Sequence, residues 1–105
     1  MKGWLSRFFH KRTDPKSIAM QKFNDCVSAL STASIAIDCG ANVGAYSVAM
    51  ASKGAQVYAF EPNPYAYAEL TRATKGMNVK CFQKAVSDRD GEVQLYLHEN
   101  ADEDP

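Results

Sequence analysis

The chain has 105 residues, enough for one small domain and too few for two of ordinary size. Its 12 basic and 12 acidic side chains cancel, so net charge gives no general attraction to nucleic acid or to an anionic membrane. The three cysteines (Cys26, Cys39 and Cys81) form no CxxC pair and are odd in number, which argues against a disulfide framework and against a zinc site. We therefore expect a reduced, cytoplasmic protein without a bound metal.

Residues 1–34 are predicted to form an N-terminal helical segment. The mixture of aromatic and basic residues over 1–13 is too short and too charged for a signal peptide or a membrane span. A terminal helix is favoured there over a helix that lies on a membrane surface. Apolar residues at helical spacing then predict a helix over residues 16–30, with Asp14 as its cap and Pro15 as its first residue.

The apolar run from Ile35 to Cys39 lacks alternation, which is typical of a parallel strand covered on both faces. Cys39 is predicted to lie in the core of the domain. The glycine-flanked turn GANVG leads into a helix predicted over residues 45–53, and Gly54 is a natural residue to end it. Residues 56–60 are rich in β-formers and predict the second strand.

A second helix of the domain is predicted over residues 65–75, after an Asn-Pro pair suited to its start. A third strand is predicted over residues 79–86. Alternation over residues 92–97 predicts a fourth, half-exposed strand, and the acidic residues 99–105 are predicted to form a disordered tail. The order βαβαβ plus one extra strand predicts an α/β domain over residues 35–98, with a parallel sheet and right-handed crossovers.

The turn after the first strand carries the first candidate site residues. Gly40 allows a tight turn and close approach of a ligand, and Gly44 opens the next helix close to the sheet. Free backbone amides of this turn are expected to face the ligand. The pattern GANVG lacks the middle glycine of GxGxxG, and no Gly-Lys-Ser/Thr follows, so a dinucleotide is disfavoured and a P-loop is excluded. Asp38 would repel a phosphate and attract an ammonium group.

Glu61 ends the second strand, about 20 positions beyond the glycine turn, where a carboxylate is placed to bind both ribose hydroxyls. Each of these residues alone has an ordinary interpretation: a strand–helix turn, a capping aspartate or an exposed strand-end charge. Together they predict a cofactor with a ribose, a cationic amino-acid end and no phosphate. S-adenosylmethionine (SAM) has these three properties.

Three segments resemble the FkbM-type SAM-dependent methyltransferases: AIDCGANVGAYSVAMA at residues 36–51, VYAFEPNPYAYAEL at 57–70 and KAVSDRDGEVQLYL at 84–97. The resemblance implies a Rossmann-like class I methyltransferase fold with SAM as methyl donor. It also implies O-methylation of a hydroxyl on a sugar or secondary metabolite, hence a small-molecule or glycan acceptor.

The resemblance also implies which residues bind the donor. Four residues would line its methionine end: Asp38, Gly40, Asn42 and Gly44, with Ala41 of the same turn also in the cofactor site. Glu61 would hold its ribose with Pro62 and Asn63 beside it, and Ala85 would flank its adenine.

Two departures from the family pattern bear on activity. Lys84 and Ala85 stand where many methyltransferases have an aspartate that reads the adenine amino group. The sequence also ends before the family's acceptor-side strands, so we expect a truncated, donor-binding half-domain in which no catalytic base can be named.

The alternative is a non-catalytic remnant or interaction module that self-associates through the open sheet edge at Ile35–Cys39. A nucleotide-dependent oxidoreductase is a weaker third interpretation, and neither nucleic acid nor an integral membrane segment is expected.

Overall fold

The computed structural model of the chain describes residues 14–97. The predicted terminal helix over residues 1–13 and the predicted tail over 99–105 lie outside this range. The described elements, in chain order, are helix α1 (Pro15–Ser28), strand β1 (Ile35–Cys39), helix α2 (Ala45–Ala51), strand β2 (Gln56–Phe60), helix α3 (Pro64–Ala73) and strand β3 (Val79–Phe82). Their order confirms the predicted βαβαβ unit behind an N-terminal helix.

Side-chain caps start two of the three helices that the structure describes. Asp14 accepts a hydrogen bond from the backbone N–H of Lys16 at 3.4 Å, and Asn63 accepts one from Tyr65 at 2.9 Å. Each cap is followed by a proline at the first helical turn, where a missing N–H costs nothing. Both predicted helix starts are therefore confirmed. α1, α2 and α3 end at Ser28, Ala51 and Ala73, each two residues earlier than predicted.

The three strands form a parallel sheet in the order β1-β2-β3. The register pairs Ala36 with Val57 and Val57 with Val79, so these three side chains point to the same face of the sheet. α2 and α3 both pack on this face, since Met50 of α2 lies against the Ala36–Val57 cluster and Leu70 of α3 lies against Ala59. The predicted α/β fold with parallel strands is confirmed.

The core lies between this face and the helices, in two small clusters. The first contains Ala36, Ala55 and Val57, and the second contains Ala41, Ala59 and Leu70. Among residues 14–97, Leu70 and Val57 are the largest hydrophobic side chains that are fully buried. α1 is joined to α2 by an aromatic contact between Phe23 and Tyr46, whose ring centroids lie 4.5 Å apart.

The second face of β1 is open within the described residues. Ile35 is 71% exposed and Ile37 is 66% exposed, and Cys39 beside them is also exposed. The prediction that β1 is covered on both faces is therefore wrong, and so is the core placement of Cys39. The physical reason is that α2 and α3 cover the same face, and no other helix in residues 14–97 packs on the opposite one.

The end of the described chain also differs from expectation. β3 stops at Phe82 rather than at residue 86, and residues 83–97 contain no helix or strand. The predicted fourth strand over 92–97 is absent from the described structure. An alternating pattern becomes a strand only beside a partner strand, and here Val93 is 75% exposed with no strand alongside it. No helix within residues 14–97 is both long and apolar enough to cross a membrane.

The cap of α1 gives a direct test of these helix starts. We expect Asp14→Ala to lower the free energy of unfolding by about 0.5–2 kcal/mol, because the first turn loses its side-chain acceptor. Asp25→Ala, on the exposed surface of the same helix, should change it by less than about 0.5 kcal/mol. Urea unfolding followed by circular dichroism measures both. Equal losses in the two variants would contradict the capping role of Asp14.

Candidate functional site

The carboxyl ends of β1 and β2 bring the two predicted site segments together. The backbone N–H groups of Gly40 and Ala41 both donate to the carbonyl oxygen of Phe60, each at 2.9 Å. The N–H of Glu61 in turn donates to the carbonyl of Phe82 at 3.0 Å, which ties the end of β2 to the end of β3. The glycine turn (residues 40–44) and the segment after β2 (residues 61–63) therefore lie side by side at the carboxyl edge of the sheet.

The side chain of Glu61 bridges the two segments of this edge. One carboxyl oxygen, Oε1, accepts a hydrogen bond from the N–H of Asn42 at 2.7 Å, and Oε2 accepts one from the N–H of Asn63 at 2.9 Å. The residue is only 8% exposed. Because each carboxyl oxygen has two lone pairs, both oxygens keep capacity for a further donor such as a ribose hydroxyl.

Asn42 occupies a backbone conformation that its contact with Glu61 helps to hold. Its φ of 52° lies in the left-handed region, and it is the one non-glycine residue with positive φ in the described chain. Asparagine tolerates this region better than most residues do. The Asn42–Glu61 hydrogen bond spans 19 positions of sequence and fixes the shape of the turn.

The expectation that free amides line the turn is wrong for four of its residues. Gly40 and Ala41 donate to Phe60, Asn42 donates to Glu61, and Gly44 donates to the carbonyl of Ala41 at 3.0 Å. A pyrophosphate cradle requires backbone N–H groups that point at the ligand. A turn whose amides are used internally suits a ligand without phosphate.

The two glycines of the turn meet different surroundings. A Cβ added at Gly40 would touch nothing within 4 Å, whereas one added at Gly44 would lie 3.1 Å from Cδ1 of Leu70. Gly40 thus leaves open space beside the edge, and Gly44 allows close packing of the turn against α3. Ala41 is buried in the core with Leu70, so its side chain faces away from the edge and its backbone alone borders it.

Asp38, near the end of β1, is held by a residue that the sequence reasoning missed. Ser47 of α2 is fully buried, and its Oγ donates to Oδ2 of Asp38 at 2.7 Å. Asp38 itself is 8% exposed. A serine among small apolar residues on the helix after an acidic strand end was the available signal. That signal is weak, because a helical serine is usually an exposed residue.

Asn63, Pro62 and Ala85, the remaining predicted site residues, make fewer contacts with the site than Asp38 and Glu61 do. The backbone of Asn63 contacts Glu61, while its side chain caps α3. Pro62 lies between these two residues, and Ala85 is exposed in the irregular segment after β3. The role of Ala85 beside an adenine stays a prediction. Within residues 14–97, no group of three His, Cys, Asp or Glu side chains is arranged to hold a metal ion.

Two comparisons with known proteins agree with this architecture. The family described as "Methyltransferase FkbM domain" matches residues 38–105, which is more than half of the chain. A solved structure described as a candidate rRNA methylase from Clostridium thermocellum is similar at a TM-score of 0.56 with 15% sequence identity. The similarity covers 64% of this chain and 40% of that one. No curated protein sequence matches the chain.

The solved structure supports the fold, and at 15% identity it supports the fold alone. The chain spans about two-fifths of that structure's length. The family match includes Asp38, the glycine turn and Glu61, the same residues that meet at the carboxyl edge of the sheet. The chain belongs to the FkbM methyltransferase family and has an α/β, Rossmann-like methyltransferase fold.

Proposed function

We propose that the chain binds SAM at the carboxyl edge of β1 and β2 and forms the donor-binding part of a methyltransferase. The observation that carries this proposal is the placement of Glu61. Its two carboxyl oxygens are fixed by backbone amides from opposite sides of the edge, at 2.7 and 2.9 Å. A carboxyl group held in this way is preorganised for the two neighbouring hydroxyls of a ribose.

The other site residues are proposed to contact different parts of the donor. Asp38 is proposed to attract the ammonium of the methionine end, with Gly40 and Asn42 forming the adjoining wall. Pro62 and Asn63 are proposed to lie beside the ribose that Glu61 binds, and Ala85 is proposed to flank the adenine. The internal use of four of the turn's amides, those of residues 40, 41, 42 and 44, favours this phosphate-free ligand over NAD or FAD.

The proposed reaction is methyl transfer to a hydroxyl of a sugar or secondary metabolite. SAM would supply a methyl group on a sulfonium. The acceptor oxygen would bond to that carbon as the carbon–sulfur bond breaks, S-adenosylhomocysteine would leave as the neutral thioether, and the hydroxyl proton would pass to solvent or to a base on the acceptor side. Positioning of the two reactants supplies much of the rate enhancement in such a step. The contribution of the described residues is to hold the donor in one orientation.

The proposed location of the protein is the cytoplasm. All three cysteines are free thiols, which suits a reducing compartment.

A second candidate function is an interaction module. Its support is the outer edge of β1, which pairs with no strand in residues 14–97, together with the exposed Ile35 and Ile37 on the open face. An unpaired apolar edge is a template for pairing with another chain. In this case a second copy would pair with β1, and donor binding would be absent.

Calorimetric titration separates the candidates. We expect SAM and S-adenosylhomocysteine to bind and NADH not to bind, because the site suits a ribosyl ligand without phosphate. Analytical ultracentrifugation in the same buffer reports the oligomeric state. Absence of SAM binding combined with a dimer would favour the interaction module, and binding of NADH in place of SAM would favour an oxidoreductase.

A further inference from the structure

Ser47 is unusual among the residues of α2. It is the one buried side chain of the helix, and it is polar. A serine inside a helix ordinarily points to solvent or bonds to a carbonyl of the preceding turn. Here its Oγ donates instead to Oδ2 of Asp38, nine positions earlier on β1, at 2.7 Å. The helix thus contributes a hydroxyl, rather than packing area alone, to the end of the strand.

This hydrogen bond leaves the two oxygens of Asp38 in different states. Oδ2 is occupied by Ser47, whereas Oδ1 has no partner within the described residues. No side-chain nitrogen or oxygen in that part of the chain is both buried and unpaired, so Oδ1 is not sealed inside the protein. A short hydrogen bond to a carboxyl group restricts its rotation. One oxygen is therefore held in a fixed position for a donor group outside the chain.

We propose that Ser47 is a positioning residue that gives the site its selectivity for the amino-acid end of the donor. It acts by fixing Asp38, so that Oδ1 meets the ammonium of the methionine moiety. This inference rests on the proposed function, and it adds a residue and a mechanism to that function. Ser47 does not contact the ligand, since it is fully buried behind Asp38.

A purely structural role for Ser47 leads to a different expectation. If the hydroxyl only satisfies a buried carboxyl group, its loss will loosen the whole edge and weaken every ligand that binds there. If it orients Asp38 toward an ammonium, its loss will weaken only ligands that carry the amino-acid group. 5′-Methylthioadenosine shares the adenosine and the sulfur of SAM and lacks that group, so it distinguishes the two roles.

The experiment measures the affinities of SAM and 5′-methylthioadenosine for the wild-type chain and for Ser47→Ala. We expect Ser47→Ala to weaken SAM about tenfold, the effect of one hydrogen bond to a charged group, and to change 5′-methylthioadenosine by less than about twofold. If the alanine variant does not fold, Ser47→Cys replaces the hydroxyl by a weak donor of similar size and carries the same expectation.

Two further variants complete the design. Thr74→Val removes another buried hydroxyl, which donates to the carbonyl of Leu70 at 2.8 Å at the far end of α3, and should leave both affinities unchanged. In an Asp38→Ala background, Ser47→Ala should no longer affect SAM, because the residue through which it acts is missing.

The outcomes separate the two proposals. A wild-type chain that binds neither ligand overturns the proposed function and this inference with it. A wild-type chain that binds SAM, with Ser47→Ala weakening both ligands equally or neither, overturns the inference alone. So does an effect of Ser47→Ala that persists undiminished in the Asp38→Ala background. Selective loss of SAM that disappears in that background supports the assignment of Ser47.

Discussion

Replacing Glu61 by alanine is expected to weaken SAM binding by at least about 100-fold. Two ribose hydroxyls would lose a carboxyl acceptor, and each such bond contributes about 1.5–3 kcal/mol. The turn would also lose two hydrogen bonds, since the N–H groups of Asn42 and Asn63 both donate to this side chain. We expect Asn42 to leave its left-handed conformation more readily once its acceptor is gone.

Calorimetry with SAM and S-adenosylhomocysteine measures the loss, and circular dichroism verifies that the variant is folded. Glu69→Ala is the matched control, because Glu69 is an exposed glutamate of α3 whose ion pair with Arg72 lies on the surface. Glu61→Gln keeps one acceptor oxygen and should show an intermediate affinity. A folded Glu61→Ala variant that binds SAM as the wild type does would refute the assignment of the site.

The position of Glu61 was predictable from the sequence because it depends on spacing along a βαβ unit. A strand, a helix and a second strand of known length bring the end of the second strand beside the first turn. The sequence could not reveal that the carboxyl group also holds Asn42 and Asn63. Those contacts depend on the conformation of the turn, and the left-handed φ of Asn42 has no signal beyond the residue type.

The burial of β1 was mispredicted for a related reason. An apolar run such as Ile35 to Cys39 shows that both faces can be covered, and leaves open which elements cover them. Topology decides that question, and here α2 and α3 share one face. The alternating residues 92–97 present the same problem, because a strand pattern does not supply its own partner strand. Ser47 was missed because its role depends on which side of α2 meets Asp38.

Leu70→Ala is expected to produce the largest loss of stability of any single substitution considered. Leu70 is fully buried and packs against Ala41 and Ala59 in the second core cluster. Truncation of a buried leucine costs about 2–5 kcal/mol, including the cavity that it leaves. In a domain whose total stability is on the order of 5–15 kcal/mol, that loss is a large share. Leu70→Met, which conserves volume, should cost less than about 1.5 kcal/mol.

The same substitution links the core to the candidate site through Gly44. A Cβ at Gly44 would lie 3.1 Å from Cδ1 of Leu70, so Leu70→Ala removes the atom that Gly44→Ala would meet. We therefore expect Gly44→Ala to destabilise the Leu70→Ala variant by less than it destabilises the wild type. The positive φ of 101° should keep part of the cost in both backgrounds. Urea unfolding of the two single variants and the double variant measures this coupling. Strict additivity would show that the close approach of the turn to α3 does not set the requirement for glycine.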